Sequence, residues 1–152
     1  MSARKKQSRS RSTKRISSGS RTRRTIGRIV LGSFLAFAGI SHLTFARDEF
    51  TAQVPDFVPL SEDTTVLASG VVEITLGTAL LFAKKKRTLV GWAVAAFFVA
   101  IFPGNISQFV NKVDAFGLTS DTARGVRLIF QPILVLWALW STGAWHAFRT
   151  RR

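Results

Sequence analysis

The sequence predicts an all-α membrane protein: a four-transmembrane-helix bundle, N-in/C-in, with a disordered basic N-terminal tail. Three observations lead there. Apolar runs at 26–45, 66–83, 88–110 and 126–148 each hold 18 residues or more, about what an α-helix needs to cross a hydrocarbon core ~30 Å thick at ~1.5 Å per residue. Charge is sorted between the connections, with basic residues before the first run, after the second and after the fourth, and acidic ones after the first. The apolar content of 47% is ordinary as an average, but the first 24 residues contribute almost nothing to it, so the remainder is far richer. A chain of 152 residues gives one folded domain, 25–148, between a tail at 1–24 and a short basic tail at 149–152.

The tail at 1–24 is rich in Arg, Ser and Lys, has no acid, and carries Ile16 as its one β-branched aliphatic. It cannot bury enough apolar surface to offset the entropy of ordering, which predicts disorder. Its partner is expected to be anionic lipid headgroups, at about 1 kcal/mol per basic residue near the surface. Nucleic acid fits poorly: the excess of +14 sits in tails and one short loop, not over a folded face.

The first span, 26–45, starts with Arg28 close enough to its end to snorkel to the headgroups. Gly32, Ala36, Gly39 and His42 fall on one helical face, where small residues let membrane helices approach closely. The run is longer than the core of a cleaved secretory signal and three more spans follow, which argues against cleavage after Ala46. The loop at 47–64 holds five acids and one base, with Pro55 and Pro59 bracketing Asp56, Phe57 and Val58. Proline on both sides favours an extended or turn path. The loop's apolar residues predict that it lies on the membrane surface and caps the bundle.

The second span, 66–83, has one charge, Glu73, on a face shared with Ser69 and Gly77. A carboxylate inside a spanning helix is expensive, which makes it a functional candidate. Lys84–Arg87 follow. The third span, 88–110, is uncharged, and Pro103 with Gly104 predicts a kink near its far end. Asn105-Ile106-Ser107 matches a glycosylation sequon only by chance, because it lies within the span. A polar loop at 111–124 leads to the fourth span, where Trp145 suits an interfacial belt and His146 lies beside it at the end. The absence of cysteine excludes disulfides, thiol redox chemistry, c-type haem attachment and Cys-ligated metals.

Orientation follows from the basic residues. Eighteen of the 22 lie in the tails, up to Arg28, or at 84–87, leaving Arg47, Lys112, Arg124 and Arg127 on the other side with seven of the eight acids. Both termini are therefore expected in the cytoplasm. That topology gathers polar residues in the outer half: His42 about 5 Å from the end of its span, Glu73 about 10 Å and Asn105 about 8 Å. Arg127 and Gln131 enter from outside on one face of the fourth. The expected centre is a Glu73–Arg127 ion pair, with Asn105 and Gln131 meeting the remaining donors and acceptors. Two readings stay open for this set: a network that fixes helix register, or a site for a quinone, a small polar ligand or a proton. One His and one carboxylate make a thin metal-ligand set, and no residue is assigned as catalytic.

The succession Gly39-Ile40-Ser41-His42, Val54-Pro55, Val58-Pro59 and Ser69-Gly70, then Glu73-Ile74 and Gly77, resembles the DoxX-like family of small four-helix membrane proteins. Phe102-Pro103-Gly104-Asn105-Ile106, Arg127-Leu128 and Gln131-Pro132 extend the resemblance over roughly 26–140. Departures are small: Gly104 stands where the family often has Ala, and Leu43 where it often has an aromatic. The resemblance implies a membrane subunit linked to quinone-dependent redox chemistry in a bacterial plasma membrane. The leading expectation is an accessory or quinone-interacting subunit, without catalysis of its own, partnered by lipid and a redox protein. The alternatives are a small proton-coupled transporter and a purely structural membrane partner.

Overall fold

The computed structural model describes residues 18–150 apart from 116 and 118; the tail expected at 1–24 lies outside them up to residue 17. The described residues form helices only: α1 (Ser18–Leu43), α2 (Arg47–Thr51), α3 (Glu62–Phe82), α4 (Arg87–Val110), α5 (Asp121–Thr142) and α6 (Ala144–Arg149), with a 3-10 turn at Lys84–Lys86. Four of them, α1, α3, α4 and α5, are long and apolar enough to cross a membrane. Their outward faces carry large apolar side chains such as Phe34, Phe37, Val71, Leu89, Ile129 and Leu136, a surface suited to lipid and costly in water.

Local signals set the ends. Ser61 and Ser120 cap α3 and α5 by accepting the amides of Thr64 and Ala123, each at 3.2 Å, which satisfies one of the orphan donors of each first turn. Both helices therefore start several residues before their apolar runs. Helix α1 is already helical at Ser18, the first described residue, so 18–24, expected to belong to the disordered tail, are helical instead; Arg, frequent there, is a good helix former. The fourth span is not continuous. Gly143 adopts φ 75°, ending α5 at Thr142 and starting α6 on a new course, the ordinary use of glycine just past a helix end.

Helix α1 packs on α3 and α5, and α4 packs on α5 and α3, so α3 and α5 stand diagonally in the bundle. Glycine makes the α1–α3 contact close. A Cβ on Gly39 would lie 2.6 Å from the carbonyl oxygen of Gly70, and one on Gly77 would lie 2.6 Å from the amide of Ala36. These are the small-residue faces expected of α1 and α3.

Arg28 departs from expectation. It is buried, and its guanidinium donates to the carbonyls of Leu80 and Leu81 at the end of α3. The unsatisfied carbonyls and negative end of α3 offer fixed acceptors, so the side chain turns inward. A core of Leu31, Leu35, Leu80, Val94, Ala138 and Leu139, with neighbours, fills the same half of the bundle. There Trp137 donates across to the carbonyl of Gly27 at 3.0 Å.

Candidate functional site

The other half holds an open-sided cavity of about 640 Å³, and His42, Glu73, Asn105, Arg127 and Gln131 all line it. Helix α1 contributes His42 in its last turn and α3 contributes Glu73 midway. Helix α4, with Pro103 in its interior, contributes Asn105, and α5 contributes Arg127 and Gln131 one turn apart. Most of the remaining wall is apolar, with Phe34, Phe98 and Phe130 among it, and Val54, Pro55, Phe57 and Val58 of the connecting loop form part of the lining. The loop thus caps the bundle, but its first part is helical. Helix α2 carries Phe50, whose ring stacks on His42 at a centroid distance of 3.4 Å and 20° between planes. Arg47 anchors this segment to the start of α3 through two hydrogen bonds to Asp63, at 2.6 and 2.5 Å. Those bonds hold the Arg47 guanidinium above its ordinary pKa.

In place of the expected Glu73–Arg127 ion pair, Glu73 meets His42. Glu73 Oε2 lies 2.8 Å from His42 Nδ1, both side chains being buried. The diagonal placement of α3 and α5 is the reason: α1 lies directly against α3, and its glycine contact brings His42 beside the carboxyl. Arg127, on α5, shares the cavity without being the partner of Glu73. The imidazole is also engaged by its own helix, with Nδ1 2.8 Å from the carbonyl of Ala38. A hydrogen on Nδ1 aligns with that carbonyl, leaving Glu73 Oε2 buried, in electrostatic contact, and without a directed hydrogen bond. A buried acceptor in that state costs about 1–3 kcal/mol unless another donor reaches it.

The second polar group is complete in itself. Asn105 donates to Gln131 Oε1 at 2.9 Å, and Gln131 donates to the backbone carbonyl of Phe98 at 2.7 Å. Pro103 lacks the amide that would bond the carbonyl of Val99, the residue after Phe98, so Gln131 donates to the α4 backbone one residue from that gap. Away from the cavity, Arg124 is buried and bridges Asp114 and Asp121 at 2.7 and 2.8 Å. The i, i+3 spacing of Asp121 and Arg124 was a readable signal for that bridge. No spacing could have signalled the Phe50–His42 stack, because it forms across a turn.

Residues 31–142 match the model of a family described as a domain of unknown function, DUF8561. The match runs from the second half of α1 to the last residue of α5 and contains all five cavity residues above. No curated protein and no solved structure matches the chain.

Proposed function

The chain belongs to the DUF8561 family, and we propose that it is a DoxX-like accessory subunit of a membrane redox system, binding a quinone within its four-helix bundle. The observation that carries this reading is the Glu73–His42 pair, with its undirected carboxyl oxygen, at the wall of a largely apolar cavity. A volume of about 640 Å³ falls within the common range for small-molecule sites, about 300–1,000 Å³, which also combine apolar walls with a few placed polar groups. When bound, a quinone supplies two carbonyl acceptors and a redox couple. Arg127 and the second amide hydrogen of Asn105 can supply donors for such carbonyls, and the Glu73–His42 pair can take up or release a proton in place.

Charge sorting supports the orientation of this reading, with both termini in the cytoplasm of a bacterial cell and the cavity on the outer side. It also supports contact between the N-terminal tail and anionic headgroups. A redox-protein partner would then meet the outer face, near the acidic loop. The Asn105–Gln131–Phe98 chain favours a second reading, in which the polar residues only fix helix register around the kink.

Melting of the detergent-purified protein, with and without a short-chain quinone, separates the two. Quinone binding predicts a rise in melting temperature that Glu73→Gln abolishes while remaining folded. No rise in the parent protein, together with a Glu73→Gln variant that melts far lower, would assign the residues to register alone.

A further inference from the structure

The largest unbalanced charge lies at the end opposite the cavity. Of the eight acidic residues in the chain, Glu73 is paired with His42, and the others belong to the α1–α3 connection, the start of α3, the α4–α5 connection or the start of α5. None lies at the end that carries Arg21, Arg23, Arg24, Lys84–Arg87 and Arg149. Most of these cations are exposed, but Arg24 is not simply solvated. Its Nε is buried without a hydrogen-bond partner.

Arg24 lines a pocket of about 220 Å³ together with Leu136, Leu139, Trp140, Trp145 and His146. The left-handed Gly143 builds it. By ending α5 and redirecting α6, it sets Trp145 and His146 next to Arg24 of α1, whose Nη1 would lie 3.5 Å from a Cβ at Gly143. Arg149 adds a second cation, its guanidinium 5.4 Å from the centre of the Trp145 ring. Leu136 and Trp140, one turn apart and both exposed, continue the pocket along the outer, lipid-facing side of α5.

We propose that this pocket binds one phosphate group, carried by an anionic phospholipid. Arg24 holds the phosphate through its guanidinium fork, with His146 beside it. Trp140 and Trp145 pack at the level where headgroup meets chain, and an acyl chain follows Leu136. The cations around the site, with no acid to balance them, favour an anionic headgroup over a zwitterionic one. The proposal does not rest on quinone binding, since it concerns the opposite end of the bundle, and Arg24, Trp145 and His146 lie outside the family match at 31–142.

The test is native mass spectrometry of the full chain taken from vesicles of equimolar phosphatidylcholine and phosphatidylglycerol. One phosphatidylglycerol should be retained preferentially, and Arg24→Gln should reduce the retained fraction about fivefold, the equivalent of about 1 kcal/mol for one interfacial cation. Arg87→Gln removes the same charge outside the pocket and should leave retention unchanged. His146→Ala, at an exposed side chain, should lower retention if Arg24→Gln fails to fold. Unchanged retention in Arg24→Gln and His146→Ala, or equal loss in Arg87→Gln, would overturn the proposal. A second arm adds inorganic phosphate to delipidated protein: stabilisation as large as that given by phosphatidylglycerol would assign the pocket to a free anion and overturn the lipid, whereas a response to the lipid alone supports it.

Discussion

The two halves of the bundle use the same four helices in opposite ways. Toward the chain termini they are clamped: Trp137 reaches Gly27, Arg28 ends α3, and Gly91 lies directly under Thr142. Toward the acidic connections they stand apart around a cavity, and polar side chains there bond to one another or to the backbone of a neighbouring helix. Charge follows the same division. Arg47, Lys112 and Arg124 at the acidic end have carboxylate partners, while the cations at the other end have none among the described residues. A small membrane protein can thus be stabilised by one half and leave room for a ligand in the other.

The sharpest way to break that comparison is to make one substitution in both halves. Gly91→Ala drives a Cβ into Thr142 and should destabilise by about 1–3 kcal/mol, the usual cost of overpacking. Gly104→Ala meets only the Gln53 carbonyl oxygen, at 3.8 Å, and should be neutral or gain up to about 1 kcal/mol in helix propensity. Unfolding midpoints in a mild detergent would read both, and equal losses would erase the distinction between halves. Next in size, Gln131→Leu leaves Asn105 and the Phe98 carbonyl without their partner and should cost about 1–2 kcal/mol. A neutral result there would mean that the kink needs no help from α5. The smallest effect belongs to Arg47→Ala. Both partners of that ion pair are substantially exposed, and exposed pairs contribute little. The melting temperature should barely move, while amide exchange across residues 47–60 should quicken as α2 loses its anchor.

The sequence was read correctly where the signal is local or periodic. Apolar run length predicted the four helices long and apolar enough to cross a membrane, and helical spacing placed Gly32 and Gly39 on the face that meets α3. Depth along each span was enough to bring His42, Glu73, Asn105, Arg127 and Gln131 to one cavity. The end of α5 was also legible in principle, since a glycine after the last polar turn is a stop signal. The aromatic and aliphatic residues that resume beyond it, Ala144 and Trp145, concealed it.

What the sequence by itself determined is the number of helices long and apolar enough to cross a membrane and the level of each polar group along them, because hydrophobicity and rise per residue act along the chain. Which neighbour each polar group meets was decided only by tertiary structure. The order of helices around the bundle made His42, not Arg127, the partner of Glu73, and turned Arg28 from the membrane surface to the carbonyls of α3. That order is set by close packing between helices far apart in sequence, where glycine faces and the shape of side chains select one arrangement among several of equal hydrophobicity.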